Sequence, residues 1–385
     1  MTEPTIATWS SLVGSPTGAV FGTPLANWRA SARRALGLEE KPIIVTGHQP
    51  DFFHPGVLAK FVAARAIAVE VGGVVVHLVV DHHIGNSGVI EVPDYSGTYL
   101  SAKTCTIATL QRDVAMQDQP RVTSQLDNIF SRALNDAAGE NAAMQFANAT
   151  GDLMAPWATV DHCIGASSLL ETDFGKAVID EMRANPAPCI AAYNDAIAQF
   201  PSCKIAMLAK NELPLWQGKT NEKGTVNGDD FRPRALTLTL LARVLIGDLF
   251  VHGTGGFAYD QIMERWLKDW LHLTPCNKTM ATANITLPLC VQSIEEARKE
   301  YFDAPTECIE AITNAPYGSQ ERQRKFLELH TCLEAKHQKP DMRAVKNALA
   351  IAKRRNWPFP LYSDELTKDF SIAKAVEESL SYCLK

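Results

Sequence analysis

The sequence contains two apolar segments separated by a helical pattern, and this order limits the possible folds more than any other feature. The first segment spans residues 43–46. Pro55 has the fixed φ and missing N–H that suit the first position of a helix, which we predict over 55–71. After a Gly-Gly pair, the segment 74–80 is apolar without alternation, as in a strand covered on both faces. The order predicts a βαβ unit with two parallel strands.

A third apolar segment lies far down the sequence, at 249–251, and leads through a glycine-rich turn to a helix predicted over 257–271. Each of the three segments is followed by a turn that contains histidine. Parallel strands end at one edge of their sheet, and ligands of open α/β sheets bind at that edge. We therefore expect the three turns to share one cleft.

The whole pattern predicts an α/β protein with a Rossmann-like parallel sheet core, helical insertions and a helical C-terminal appendage. We expect the core over residues 1–290, with a helical insertion around 110–200, and a helical C-terminal region over 291–385. The other elements that matter below are predicted as a helix over 122–138, a strand over 205–209, a mobile surface loop over 217–230, a strand over 281–289, and charged helices over 295–302, 321–337 and 342–355.

Length and charge restrict the class of protein. A chain of 385 residues can hold two domains, or one large domain with an appendage. Its formal net charge of -6 argues against a general nucleic-acid binder, whose surface would be basic. No apolar run approaches the ~20 residues of a membrane-spanning helix. We expect a small anionic molecule as the partner, with no nucleic acid and no membrane. A homodimer is a further possibility that the sequence does not decide.

The cysteines are scattered, form no CxxC pair and are odd in number. They are Cys105, Cys163, Cys189, Cys203, Cys276, Cys290, Cys308, Cys332 and Cys383. In a chain of this size this pattern predicts reduced thiols, not a disulfide framework or a zinc site. The first residues show no secretory signal. We therefore expect a cytoplasmic protein, with a bacterial cytoplasm as its setting.

The first candidate site is the turn after the segment 43–46. Gly47 permits a tight exit from the strand, and His48 and His54 flank a loop that leads to a helix start, whose free N–H groups favour an anion. Lys60, one turn into that helix, either adds a positive charge or lies on a solvated helix face. We predict a catalytic role for His48, and for His54 either substrate binding or capping of the helix.

The second candidate site is Asp81-His82-His83. Carboxylate and imidazole groups at a strand end suit general base catalysis, metal ligation or a hydrogen bond that fixes an imidazole tautomer. In the alternative interpretation Asp81 caps the following turn. We predict catalytic roles for Asp81 and His82, and place His77 in the core.

The third candidate site is the turn between the segment 249–251 and its helix. Glycines here let backbone N–H groups approach a phosphate, although the motif is neither GxGxxG nor Walker A. The same glycines could instead serve helix–strand packing. The predicted phosphate- or nucleotide-binding residues are Gly47, Gly253, Thr254, Gly255 and Gly256.

Two guanidinium groups stand at a further predicted helix start, where bidentate carboxylate or phosphate binding is plausible. They are Arg232 and Arg234, and surface pairing with Asp229 and Asp230 is the alternative. The predicted substrate-binding residues are Gln49, His54, Arg232, Arg234, His252, Tyr259 and Asp260.

These motifs resemble, in the same order, motifs of the bacillithiol biosynthesis cysteine-adding enzyme family. The matching stretches are Thr46-Gly47-His48-Gln49-Pro50, Asp81-His82-His83, Phe231-Arg232-Pro233-Arg234 and Gly255-Gly256-Phe257-Ala258-Tyr259. The chain is still more similar to a set of bacterial proteins that share its His-Gln-Pro and His-Gly-Thr-Gly-Gly signatures. The family has glutamine where His48 stands. The resemblance implies a Rossmann-like core, a helical C-terminal part and ligation of cysteine, or another amino acid, to an amino-sugar conjugate.

Three functional hypotheses follow. The first is a cytoplasmic ligase or group-transfer enzyme that acts on a small anionic substrate, with ATP as its candidate cofactor. The second is a phosphoesterase that uses a divalent metal, because Asp81-His82-His83 resembles the signature of the aspartate-histidine-histidine phosphoesterase family. The third is a non-catalytic protein that keeps the cleft and binds a small ligand.

Overall fold

The computed structural model describes residues 1–94, 96, 100–287, 289, 306–335 and 342–362. The helix predicted over 295–302 lies outside the described residues. Among those residues, no helix is long and apolar enough to cross a bilayer. The chain divides into two compact units. The first comprises the described residues of Met1–Ile90, Cys105–Ile285 and Asn356–Lys385, and the second those of Glu91–Thr104 and Thr286–Arg355.

The strands are β1 (Thr2–Glu3), β2 (Ala19–Val20), β3 (Thr23–Pro24), β4 (Ile43–His48), β5 (Val74–Val79), β6 (Val89–Asp94), β7 (Ser101–Thr106), β8 (His162–Gly165), β9 (Glu212–Gln217), β10 (Glu222–Thr225), β11 (Phe231–Pro233), β12 (Leu249–His252) and β13 (Asn277–Ala281). The helices of the first unit are α1 (Leu25–Ala35), α2 (Pro55–Glu70), α3 (Ile129–Asp136), α4 (Ala142–Met154), α5 (Ser168–Glu171), α6 (Asp173–Ala184), α7 (Pro186–Gln199), α8 (Ala235–Leu241) and α9 (Thr254–Leu271). A π-helical turn, Ala242–Ile246, continues α8.

The core of the first unit is a six-stranded sheet in the order β1-β13-β12-β4-β5-β8. The five strands from β13 to β8 are parallel, and β1 pairs with β13 in the antiparallel sense. Numbered along the chain, the parallel strands have the order 5-4-1-2-3, which is the Rossmann order. The protein is therefore α/β with a Rossmann-like parallel sheet. The strand order reverses between β4 and β12, so the crevice expected to bind ligands lies there.

The central strands are apolar without alternation because both faces of the sheet are covered. Ile43 and Val45 of β4 contribute to a cluster that includes side chains of α1 and α9. Ile44 contributes to a second cluster, which contains side chains of α2 on the opposite face. The continuous apolar runs at 43–46 and 74–80 therefore predicted these strands correctly.

A buried carboxylate joins the amino ends of the two switch-point strands. Asp248 precedes β12 and accepts a hydrogen bond from the Ile43 amide of β4, at 2.8 Å. Its carboxylate also pairs with Arg29 at 2.6 Å and Arg33 at 2.8 Å, both in α1. These contacts fix β4, β12 and α1 together at the edge of the sheet opposite the histidine turns.

Two insertion segments differ from their predictions. The predicted helix over 122–138 is confirmed only for Ile129–Asp136, because the Gln145 side chain bonds both backbone groups of Val122 and holds this stretch outside a helix. The Asn128 side chain then caps α3. The stretch 110–200, predicted as a helical insertion, also contains a core strand, β8, which the sequence did not indicate.

Three further predictions of strands and loops are wrong. Residues 205–209 form no strand, and β9 follows them. The predicted loop over 217–230 contains β10, which pairs with β9 in a three-stranded sheet completed by β11. The strand expected over 281–289 ends at Ala281 instead, because β13 occupies Asn277–Ala281 between β12 and β1.

The second unit contains helices over Thr306–Asn314, Gln320–Ala335 and Met342–Ala352. The last two correspond to the predicted charged helices over 321–337 and 342–355. Leu100 and Ala348 form the centre of a small apolar cluster in this unit. Arg354 and Glu91 form an ion pair in the same unit.

Candidate functional site

A cavity of about 630 Å³ lies at the carboxyl ends of β4, β5 and β12. Volumes of this size suit small-molecule ligands. The three histidine turns meet here, as the strand pattern predicted. The sequence-predicted residues that line the cavity are Gly47, His48, Gln49, His54, His82, His252, Gly253, Thr254, Gly255, Gly256 and Tyr259. The cavity lining does not include Asp81, Arg232, Arg234 or Asp260.

Asp81 supports a loop next to the cavity. One carboxylate oxygen, Oδ1, accepts hydrogen bonds from the backbone N–H and hydroxyl of Ser167 and from the His82 amide, each at 3.0 Å. The other oxygen packs against Gly165, where a Cβ would approach it to 2.3 Å. Asp81 therefore ties the end of β5 to the turn after β8. Within the described residues, no three His, Cys, Asp or Glu side chains form a group that could hold a metal ion.

The two arginines of the Arg-Pro-Arg motif are paired inside the protein. Arg232 is buried and forms an ion pair with Asp118 at 2.7 Å. Arg234 pairs with the buried Glu212 at 2.7 Å and lies 4.5 Å from the ring centroid of Trp216. Trp216 lines the cavity and Arg234 does not. The arginine therefore contacts the side of the Trp216 ring that faces away from the cavity and supports the ring there.

Asp260 does not line the cavity but orients a residue that does. Its Oδ2 lies 3.0 Å from His252 Nε2, and it also contacts the buried Arg243, which pairs with Glu264 at 2.7 Å. Burial alone raises the pKa of Asp260, but the His252 ring and the Arg243 guanidinium outweigh this and hold that pKa well below its usual range. The ionised carboxylate favours the His252 tautomer with its proton on Nε2, which leaves Nδ1 as an acceptor.

His252 is neutral near pH 7. Its side chain is buried, and burial lowers its pKa although Asp260 acts in the opposite direction. The ring lies against the first turn of α9, where a Cβ on Gly256 would approach Nδ1 to 2.7 Å. An acceptor nitrogen therefore faces the start of a helix.

The amino end of α9 presents free backbone N–H groups to the cavity. The helix begins at Thr254, three residues earlier than predicted, so Gly255 and Gly256 lie in its first turn. Gly253 is the N-cap residue, and no side chain caps the helix. Free N–H groups and the helix dipole together favour an anion at this position.

Alanine substitutions in this turn should separate the two interpretations of its glycines. We expect Gly256→Ala to weaken the binding of inorganic phosphate about 10-fold, because the new methyl group meets a ring that Asp260 holds in place. A Cβ on Gly255 meets no atom within 4 Å, so Gly255→Ala is the matched control and should bind normally. Isothermal titration calorimetry measures both affinities. Equal affinities in the two variants would show that the space beside His252 is not needed.

Residues at the start of α2 form the opposite wall of the cavity. The Nδ1 atom of His54 accepts a hydrogen bond from the Gly56 amide at 3.1 Å, so His54 caps this helix. His48 packs edge-on against Phe53, with ring centroids 5.4 Å apart. Burial, and then the nearby Lys60, lower the pKa of His48 well below its usual value. Gly47 is required by packing, because a Cβ would lie 2.6 Å from the Leu78 carbonyl oxygen.

Lys60 is the cavity residue whose position the sequence left open. It is 5% exposed, lines the cavity and donates a hydrogen bond to the Gly47 carbonyl oxygen. Burial lowers the pKa of Lys60 to about 7. The sequence did hold a signal, because the stretch 55–64 is apolar on every side apart from Lys60 and offers no solvated face for a lysine.

Other cavity residues were not selected from the sequence, among them His83, Trp216 and Asn221. His83 was noted only as part of the Asp81-His82-His83 motif. Trp216 belongs to β9, and Asn221 donates from its side chain to the His82 carbonyl oxygen at 2.6 Å. Trp216 and Asn221 reach the cavity through the β9–β10 hairpin, of which the part that contains Asn221 was predicted as a loop.

No protein-family model matches the chain. No curated protein matches it either. The resemblance to the bacillithiol family therefore rests on the short motifs alone.

Two solved structures are similar to this one at a low level. One is tyrosyl-tRNA synthetase from Archaeoglobus fulgidus complexed with L-tyrosine, with a TM-score of 0.31 and 11% identity over 98% of this chain and 96% of that chain. The other is tryptophanyl-tRNA synthetase from Plasmodium falciparum, with a TM-score of 0.28 and 10% identity over 94% of this chain and 92% of that chain. Likeness at these TM-scores carries no argument about function.

Proposed function

We propose that the protein is a ligase or group-transfer enzyme that acts on a small anionic substrate in the cavity between β4 and β12. One observation carries this proposal: free N–H groups at the start of α9 and the neutral imidazoles of His48 and His252 line the same cavity. The first feature binds an anion, and the second accepts a proton. Ligation and group transfer need both.

The anion is proposed to bind over the first turn of α9. Gly256 has no side chain in the space between the His252 ring and the helix start, so a phosphate or carboxylate can approach the backbone N–H groups there. The turn carries no acidic side chain that would repel the ligand. ATP is the candidate cofactor, and when bound it supplies the phosphoryl or nucleotidyl group that activates a carboxylate.

His252 is proposed to accept the proton of the attacking nucleophile. An amine that forms an amide bond loses a proton, and a neutral imidazole with a pKa near or below the working pH accepts it. Asp260 holds the ring, with Nε2 3.0 Å from Oδ2, and so leaves Nδ1 directed to the helix start. The Asp81 carboxylate is bound to Ser167 and the His82 amide, so we do not propose the metal-dependent phosphoesterase.

The substrate pair suggested by the sequence resemblance is an amino acid, with cysteine first, and an amino-sugar conjugate. The test incubates the protein with Mg-ATP, each amino acid and an amino-sugar conjugate, and follows product formation by mass spectrometry and phosphate or pyrophosphate release. We expect ATP-dependent joining of one amino acid. ATP-independent binding without turnover of any mixture would instead identify a non-catalytic binding protein.

Substitution of His252 tests the role of its imidazole. We expect His252→Ala to lower the turnover rate about 10²- to 10⁴-fold, the range for a lost general base. His272→Asn is the control, because His272 is exposed at the carboxyl end of α9, outside the cavity, and asparagine tolerates its left-handed backbone. Unchanged turnover in His252→Ala would contradict the proposed proton transfer.

A further inference from the structure

We propose that Lys60 forms a second oxyanion subsite in this cavity, and that this subsite takes up a proton when it binds its ligand. The inference rests on the proposed function in that it concerns the same cavity. It adds Lys60 as a binding residue, an oxyanion as its ligand, and proton uptake on binding. The proposed reaction requires none of these.

Lys60 is a buried residue that reaches the cavity. The side chain projects from the second turn of α2, in the part of the helix over 55–64 whose residues are all buried, and still lines the cavity. Its ammonium group therefore has no route to bulk water other than through the cavity. Lysines with this placement act as point charges for phosphate and carboxylate groups.

The Lys60 ammonium has a carboxylate nearby, Asp51, but none in direct contact among the described residues. Lys60 donates to the Gly47 carbonyl oxygen and forms no ion pair with any carboxylate of the described residues. A buried ammonium without an opposite charge is unfavourable. A bound oxyanion would supply the missing charge.

Among the titratable groups around Lys60, only Asp51 carries charge near pH 7, and it does so in part. The titratable groups that face it are Asp51 in the loop before α2, His48 at the end of β4, His54 at the start of α2 and His77 in β5. Burial lowers the pKa of all three imidazoles, that of His77 to about 3, so they are neutral near pH 7. Burial raises the pKa of Asp51 to about 7.

The coupling to protons follows from these surroundings. Without ligand, burial lowers the pKa of Lys60 to about 7, so a large part of the amine is neutral at pH 7.5. An oxyanion beside the amine stabilises the charged form and raises that pKa. Binding above pH 7 must therefore consume a proton. The cavity then has two anion-binding ends, Lys60 and the start of α9, which suits a substrate with two oxyanionic groups.

The test measures sulfate binding, because sulfate itself takes up no proton near neutral pH. Calorimetric titrations at pH 7.5 in two buffers with different ionisation enthalpies give the number of protons exchanged. We expect wild type to take up roughly 0.5 to 0.8 proton with the sulfate at Lys60, given a free amine with a pKa of about 7. Sulfate at the start of α9 meets backbone N–H groups beside the His252 imidazole, so any proton taken up there is the same in the Lys60 variants and in wild type.

Three variants identify the group that takes up the proton. In Lys60→Arg the group is always charged, so sulfate should bind without proton uptake, whereas in Lys60→Met the proton-coupled event should disappear. Lys41→Met is the control, because Lys41 is exposed and pairs with Glu39 at the surface. Circular dichroism verifies that each variant folds.

Two outcomes would overturn the inference. The same proton uptake in Lys60→Arg would place the proton on Asp51 or a histidine, and sulfate binding to wild type without proton exchange would remove the coupling altogether. No turnover is measured, so a failure to detect ligase activity would leave a positive result intact.

Discussion

Replacing Asp260 by asparagine is expected to lower the free energy of unfolding by about 3 to 5 kcal/mol at pH 7, the range for breaking a buried ion pair. Asp260 is fully buried, and its carboxylate faces both Arg243 and His252. The neutral amide would leave Arg243 with Glu264, which is partly exposed, as its remaining acidic partner. Urea denaturation measures the loss. Asp269→Asn in the same helix is the control, because its pair with Arg265 lies at the surface and should contribute little.

The effect of Asp260→Asn should depend on pH in a definite direction. The pKa of Asp260 is lower in the folded than in the unfolded protein, where it is about 4. The unfolded state therefore binds more protons below pH 4, and the contribution of the carboxylate is complete above that pH and declines below it. Wild type and variant should converge as the pH falls from 4 towards 2. A constant difference over this range would mean that asparagine acts through packing alone.

Replacing Lys60 by methionine is expected to raise the free energy of unfolding by about 3 kcal/mol at pH 7. A pKa lowered from 10.5 to about 7 corresponds to a penalty of roughly 4 to 5 kcal/mol for the buried amine at about 1.4 kcal/mol per unit. Loss of the hydrogen bond to Gly47 offsets about 1 kcal/mol of the gain. Methionine has a similar length and suits the apolar surroundings. Urea denaturation without added anions measures the change.

The gain from Lys60→Met should fall as the pH rises. Between pH 7 and 10.5 the unfolded chain holds a proton on Lys60 that the folded chain lacks, so wild type gains stability with rising pH. The difference is therefore largest at or below pH 7 and vanishes near pH 10.5. Lys41→Met at the surface should leave stability unchanged across this range. A less stable Lys60→Met protein at pH 7 would show that the ammonium is already compensated in the fold.

The sequence predicted the centre of the fold because the signals there are local. The apolar runs at 43–46, 74–80 and 249–251 each correspond to a parallel strand, and Pro55 marks the first residue of α2. The strand β8 gave no such signal, because it has four residues and all are partly exposed. Its place in the sheet depends on pairing with β5, which is a tertiary contact.

The sequence predicted where the candidate site lies, but not the hydrogen-bond and ion-pair partners of its charged residues. The convergence of His48, His82 and His252 follows from strand direction, which the sequence indicates. The partners of the charged residues do not follow, because Asp81 bonds Ser167 and Arg234 bonds Glu212 across long stretches of sequence. These pairings determine which charged side chains are free to bind a ligand. They are long-range contacts, so a single sequence does not predict them.

The contact between Arg234 and Trp216 holds a fluorescent side chain in the cavity wall. The indole of Trp216 lines the cavity, whereas Trp266 and Trp357 are wholly shielded from solvent. A molecule that enters the cavity replaces water next to this indole and so alters its fluorescence emission. Ligand binding in the cavity can thus be followed by the fluorescence of the native chain, without an attached dye. The Trp216→Phe variant identifies the part of the fluorescence change that comes from Trp216.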